Sequence, residues 1–199
     1  MTFLPRRLRS SLAVMIALGV ASAVALYAPA AQADLVNINP CNGAALSTPF
    51  APWADPSSYE LAPGGDFESA DWSLTGRAAL VAGSDPFAAT GTLGATSLSL
   101  PAGSSAQSPP TCVDAAYPTI RFFASGTGAM AIGVNYDGLY LPAGAAVVLG
   151  GWQPSPLMLT SSALPAAVAG GTADVSLVLT TLTGNVRIDD VFIDPWNRG

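Results

Sequence analysis

Arg187-Ile188-Asp189-Asp190-Val191-Phe192-Ile193-Asp194-Pro195 ends four residues before the last residue of the chain. Its polar and apolar residues alternate, which makes it a strand. A strand's period of two puts Asp189 on the face of Val191 and Ile193, with Asp190 on the opposite, solvated face. A carboxylate at the margin of a core carries a large desolvation cost unless it is paired or bound to metal. The chain has no Lys and only seven Arg against thirteen acids. A divalent cation is therefore one answer to Asp189, and Arg77, Arg121 or Arg187 is the other.

The opposite end of the chain has a different character. Arg6, Arg7 and Arg9 precede an apolar run from about Ser11 to Ala28, followed by Ala31-Gln32-Ala33. That order predicts a signal peptide over residues 1–33, cut after Ala33, and a secreted protein. An uncleaved anchor is the alternative, because the run is close to spanning length. Cleavage leaves 166 residues carrying four arginines and thirteen acids, a net charge of −9. Such a chain suits one domain with a sizeable core. Its charge excludes nucleic acid and anionic lipid as partners, which bind through Lys and Arg, and no further membrane span is expected. The only cysteines, Cys41 and Cys112, lie beyond the cut and predict one disulfide in an oxidising compartment.

Residues 34–58 carry four prolines among small residues and read as an irregular lead-in tied down by that disulfide. From residue 59 to 199, short β-like runs recur between Gly, Pro and Ser turns. They are 66–68, 72–75, 78–82, 97–100, 106–108, 119–124, 129–137, 145–149, 175–182 and 186–193, with a short turn of helix at 162–169. This spacing predicts an all-β, two-sheet antiparallel β-sandwich, a jelly roll. Alternation assigns Leu98, Leu100, Ile120, Phe122, Ile132, Val134, Leu177, Leu179, Val191 and Ile193 to the core.

Gly64-Gly65-Asp66-Phe67-Glu68 with Trp72 nearby, Ala95-Thr96-Ser97-Leu98-Ser99-Leu100, and the closing Arg187-Ile188-Asp189-Asp190-Val191 together resemble the galactose-binding-domain-like jelly rolls. That group includes many bacterial carbohydrate-binding modules. The resemblance spans about residues 59–195 and implies a core position for Trp72. It also implies a structural calcium (Ca2+) where the first and last strands meet, with Glu68 and Asp189 as ligands, Asp66 as a further candidate and carbonyls of the 83–95 loop completing the shell. The alternative is that Glu68 and Asp189 cap turns or pair with arginine.

Sugar rings stack on exposed aromatic faces. Trp152, Tyr140 and Tyr136, near the 138–152 hairpin, are the candidate ligand platform, although ordinary packing also explains such residues. Tyr136-Asp137-Gly138 reads as a hairpin turn. Without His or Lys, the usual Ser-His-Asp, Cys-His, Ser-Lys and Schiff-base arrangements are excluded. A glycosidase pair of Glu68 with a distant Asp stays open, while the jelly-roll resemblance implies a non-catalytic secreted module for an extracellular glycan or cell-wall polymer. The alternative is a structural or protein-interaction domain meeting an envelope protein.

Overall fold

A computed structural model of the chain describes residues 45–114, 119–159 and 172–194. Cys41, Trp196, the cleavage site after Ala33 and the helical turn at 162–169 lie outside the described residues. All of the described residues belong to one compact unit, 39–199. Among the described residues no helix is long and apolar enough to cross a membrane.

The architecture is all-β. Strands β1 (Leu46–Ser47), β2 (Tyr59–Leu61), β3 (Ser73–Thr75), β4 (Ala79–Ala82), β5 (Thr96–Pro101) and β6 (Ser105–Gln107) are short. They are followed by β7 (Thr111–Asp114), β8 (Thr119–Tyr136), β9 (Leu139–Pro154), β10 (Met158–Leu159) and β11 (Thr172–Asp194). Every strand pairing is antiparallel. The frame is a ribbon of three long strands, with β8 between β11 and β9. Along its other edge β11 meets β7, β6, β5 and β2 in turn.

Two of the expected strand breaks are absent. The Gly- and Ser-rich stretches 125–128 and 183–185 read as turns, yet β8 and β11 run through them. The register slips between Thr181 and Thr183, and glycine lets the backbones close up there. A Cβ on Gly184 (φ +78°) would lie 1.9 Å from the Thr127 carbonyl oxygen, and one on Gly128 2.2 Å from that of Thr183. Core residues on either side of this point, Leu177 and Leu179 before it and Val186 and Ile188 after it, belong to one buried cluster. The ribbon folds over on itself, and its two halves form the layers of an antiparallel sandwich.

All ten residues assigned to the core from alternation are fully buried. Trp72 is buried too, its Nε1 donating to the Pro63 carbonyl at 2.9 Å. Asp137 (φ +48°) and Gly138 (φ +83°) form the two-residue loop closing the β8–β9 hairpin, with Tyr136 opposite Leu139. Positive φ at both loop positions matches the right-handed twist of the strands. Residues 66–68 are a turn rather than a strand. The Phe67 N–H donates to the Gly64 carbonyl, φ at Phe67 is +54°, and the turn drives its ring into the core against Trp72.

The lead-in packs more closely than its prolines suggest. Phe50 is fully buried in a second cluster with Tyr59, Phe123 and Phe192. Arg121 holds the segment in place. Its Nη1 is 2.7 Å from Asp55 Oδ2, its Nε and Nη2 donate to the Ser155 carbonyl, and its guanidinium lies 4.3 Å from the Phe50 ring centroid. Burial raises the Asp55 pKa, but hydrogen bonds from Ser57, Tyr59 and Arg121 outweigh it and hold the carboxyl well below the usual range.

Candidate metal centre and ligand face

The closing strand departs from simple alternation where its two acids stand. Asp189 pairs with Phe123 and Phe192 with Arg121, so β11 uses three steps where β8 uses two. The extra residue is a β-bulge, with Asp190 in the left-handed region at φ +47°. The bulge corrects two expectations. Asp189 leaves the sheet on the side of its cross-strand partner Phe123, away from the main cluster that holds Val191 and Ile193. Asp190 is not solvated; only 5 % of its surface is exposed. Val191 is held from across the turn, its N–H donating to Gly65 and its carbonyl accepting from Ala62, both at 2.9 Å.

The loop between β4 and β5 supplies the third acid. The Asp85 N–H donates to Asp189 Oδ2 at 2.9 Å, and Asp85 Oδ1 accepts from the Phe87 N–H at 2.7 Å. Phe87 anchors the loop, with its ring 4.8 Å from Trp53 and 5.0 Å from Phe123. Asp85, Asp189 and Asp190 thus come together, each buried, with one carboxylate oxygen apiece within 4.8 Å of the others. Among the described residues no arginine forms an ion pair with them. Arg121 is engaged with Asp55, while Arg187 donates to the carbonyls of Ala82 and Gly83 and to Ser97 Oγ.

Two of these carboxylates, Asp189 and Asp190, resist ionisation. Burial raises the Asp189 pKa to about 6. Burial, then the charges of Asp85 and Asp189, push Asp190 up to about 8. The Oδ2 of Asp85 is buried with no hydrogen-bond partner. Buried polar atoms are nearly always satisfied, so this oxygen leaves a lone pair for a ligand. A set of hard carboxylate oxygens facing one another suits Ca2+, which binds oxygen almost exclusively.

The residues expected from the sequence fall around this centre. Asp189 is in it. Glu68 lies outside the trio: its Oε1 accepts from the backbone N–H groups of Ala95 and Thr96 at 2.6 and 2.9 Å, and those bonds lower its pKa. It thereby fastens the far end of the loop whose near end carries Asp85. Asp66 is half-exposed and accepts from the Glu68 N–H at 3.4 Å; its charge contributes to the rise at Asp190. Asp85 is the residue that sequence reasoning missed. It is the lone acid between Asp71 and Asp114, in the very loop expected to supply carbonyls.

The expected aromatic platform is split. Trp152 and Tyr140 are twelve residues apart on β9, roughly 40 Å along an extended strand. Trp152 is half-buried against the second cluster, with the Arg187 guanidinium 5.6 Å from its ring centroid. Tyr136 packs on the main core. Tyr140 alone is exposed, at 45 %. Its ring lies over Gly133, where a Cβ would come within 2.6 Å of the ring and hydroxyl. Its cross-strand neighbour Asn135 donates to Gln107 Oε1 at 3.4 Å, and Ser105 Oγ lies 2.9 Å from Thr180 Oγ1. Register puts these side chains on the same outer face, a flat aromatic ring beside a row of neutral polar groups.

No protein-family model matches the chain, and no curated protein does. Solved structures do. One is a family 61 carbohydrate-binding module in complex with β-1,4-galactotriose, 16% identical, over 67% of this chain and 96% of that one, TM-score 0.43. Another is the C-terminal family 22 carbohydrate-binding module of a Clostridium thermocellum xylanase, 15% identical, over 69% and 91%, TM-score 0.43. A xylan-binding domain from Paenibacillus barcinonensis is 10% identical, over 64% and 87%, TM-score 0.42. Similarity at this level concerns the course of the chain and assigns no ligand.

Proposed function

We propose that the chain is a non-catalytic, exported binding module for a neutral extracellular glycan or cell-wall polymer, with a structural Ca2+ held by Asp85, Asp189 and Asp190. The observation that carries the glycan reading is the exposed Tyr140 ring, laid flat on Gly133 beside Asn135 and Gln107. A sugar needs an apolar face for its C–H groups and neutral donors and acceptors for its hydroxyls. The buried acids do not suit glycoside hydrolysis. All three are buried and shielded from a substrate, whereas glycosidase carboxylates flank the scissile bond. In this reading the cation neutralises the acids and fixes the loop to the end of β11.

The test is a pull-down on insoluble polysaccharides together with a glycan array. The reading expects retention on at least one neutral polymer, lost in Tyr140→Ala and in Asn135→Ala while the melting temperature stays within a few degrees. Failure to bind any polymer, or binding indifferent to both substitutions, sinks the glycan reading. The protein-interaction reading keeps one specific support, the exposed Val147 and Leu149 on β9.

A further inference from the structure

Among the described residues strand β9 is a long open edge of the sheet. It is sixteen residues long and, among the described residues, pairs with β8 alone. An open edge presents a row of unpaired backbone N–H and C=O groups. Proteins usually blunt such edges with charge, above all Lys, or keep them short. Residues 139–154 contain no Asp, Glu, Lys or Arg. Prolines stand only near the two ends of the strand, at Pro142 and Pro154.

The outward face beside this edge is apolar. Val147 and Leu149 are 66 % and 68 % exposed. On β8 the partners of Val147 and Ala145 are Ala129 and Ala131. Beyond these alanines the face turns polar, with Thr183 and Thr180 on β11 and Thr127 opposite Leu149, so the exposed apolar residues are concentrated at the edge itself.

We propose that this edge is a self-association site, where two copies of the chain pair their β9 strands antiparallel about a two-fold axis. The sequence of the strand supports a second copy as the occupant. An antiparallel pairing centred on Val148 places Val147 opposite Leu149, twice by symmetry. Counted by residue, the same register sets Pro142 against Pro154 at both ends, each beyond one irregular step of β9, at 142–144 and 150–153. The residues that cannot donate therefore face each other outside the ladder, and 143–153 is free of proline on both strands. Charge points the same way. The chain carries six excess negative charges, so two copies repel over most of their surfaces, and this uncharged edge is where they can approach. A charged partner strand would find no counter-charge along it.

Sedimentation equilibrium on the protein as recovered from an expressing host tests the proposal, with the double variants Val147→Lys/Leu149→Lys and Val147→Asp/Leu149→Asp. The wild type is expected at twice the single-chain mass. Each double variant alone is expected at the single-chain mass, with unchanged far-UV circular dichroism because both positions are exposed. An equimolar mixture of the two variants is expected to recover the two-chain mass, since the proposed register sets Lys against Asp. A wild type of single-chain mass overturns the proposal, including one that associates only with a different protein. So do variants that remain double, or a mixture that stays single.

Discussion

The backbone N–H of Asp85 donates to Oδ2 of Asp189 at 2.9 Å, joining residues 104 apart in sequence. This bond brings the loop after β4 onto the bulge of β11, so a third buried carboxyl joins the two adjacent acids. Without a counter-charge the arrangement favours protons on Asp189 and Asp190. With a divalent cation it favours their ionised forms.

The pH dependence follows from that. Folding raises the Asp189 and Asp190 pKa values from 3.8 to about 6 and about 8. Between about pH 4 and pH 8 the folded state keeps protons that the unfolded state has lost, so stability without metal falls as pH rises through this window. In EDTA the melting temperature should decline from pH 5 to pH 8. In excess calcium the decline should flatten, because the cation replaces the protons. A melting temperature in EDTA that climbs across this range would contradict the placement of these acids.

Arg121 should matter more than a surface arginine. It is 8 % exposed and joins Asp55, the Ser155 carbonyl and the Phe50 ring. Arg121→Ala leaves Asp55 without its guanidinium and frees the lead-in, and the expected loss in urea unfolding is about 3 kcal/mol. A loss below about 1 kcal/mol, the value of an exposed pair, would show that the contact is solvated.

Two glycines with similar φ should respond very differently to alanine. A Cβ on Gly184 would strike the Thr127 carbonyl, whereas one on Gly138 would meet nothing within 4 Å. Gly138→Ala should cost about 1–2 kcal/mol, the left-handed penalty alone. Gly184→Ala should cost more than about 4 kcal/mol or prevent folding, because the close approach of β8 and β11 at the bend is lost. Equal losses would remove the bend from the account of the sandwich.

Much of the fold was legible because alternation is local. The period of two placed Leu98, Ile132, Leu177 and their neighbours in the core without knowledge of the pairing. What alternation cannot register is an inserted residue. One bulge at Asp190 reversed the side on which Asp189 emerges and turned an expected surface acid inward. Glycine misled for a related reason: at Gly126, Gly128 and Gly184 it marks close backbone approach within continuous strands rather than their ends. Asp85 was hidden because its role depends on a contact 104 residues away, and nothing in the local pattern of a loop reports such a contact.

The cysteine pairing is a further check. Among the described residues no cysteine is free; Cys112 lies on β7, and Cys41 lies outside the described residues. A Cys41–Cys112 bridge predicts an intact mass two hydrogens below the dithiol under non-reducing conditions. Its reduction should lower stability by about 4 kcal/mol on the chain-entropy argument. Two alkylatable thiols in the exported protein would end this expectation.

The claim that Asp85, Asp189 and Asp190 hold a cation is tested most directly by thermal unfolding in calcium and in EDTA. A metal that binds only the folded state adds about 2.7 kcal/mol at a hundredfold excess over Kd, so calcium should raise the melting temperature of the wild type by several degrees. Asp85→Asn and Asp190→Asn should lose that response. At pH 7 Asp190→Asn should also melt higher than the wild type in EDTA, because folding no longer requires a carboxyl to take up a proton that the unfolded chain has lost. Glu68→Ala, outside the trio, should keep the calcium response. A wild-type melting temperature indifferent to calcium, with Asp190→Asn less stable in EDTA, would contradict the cation site.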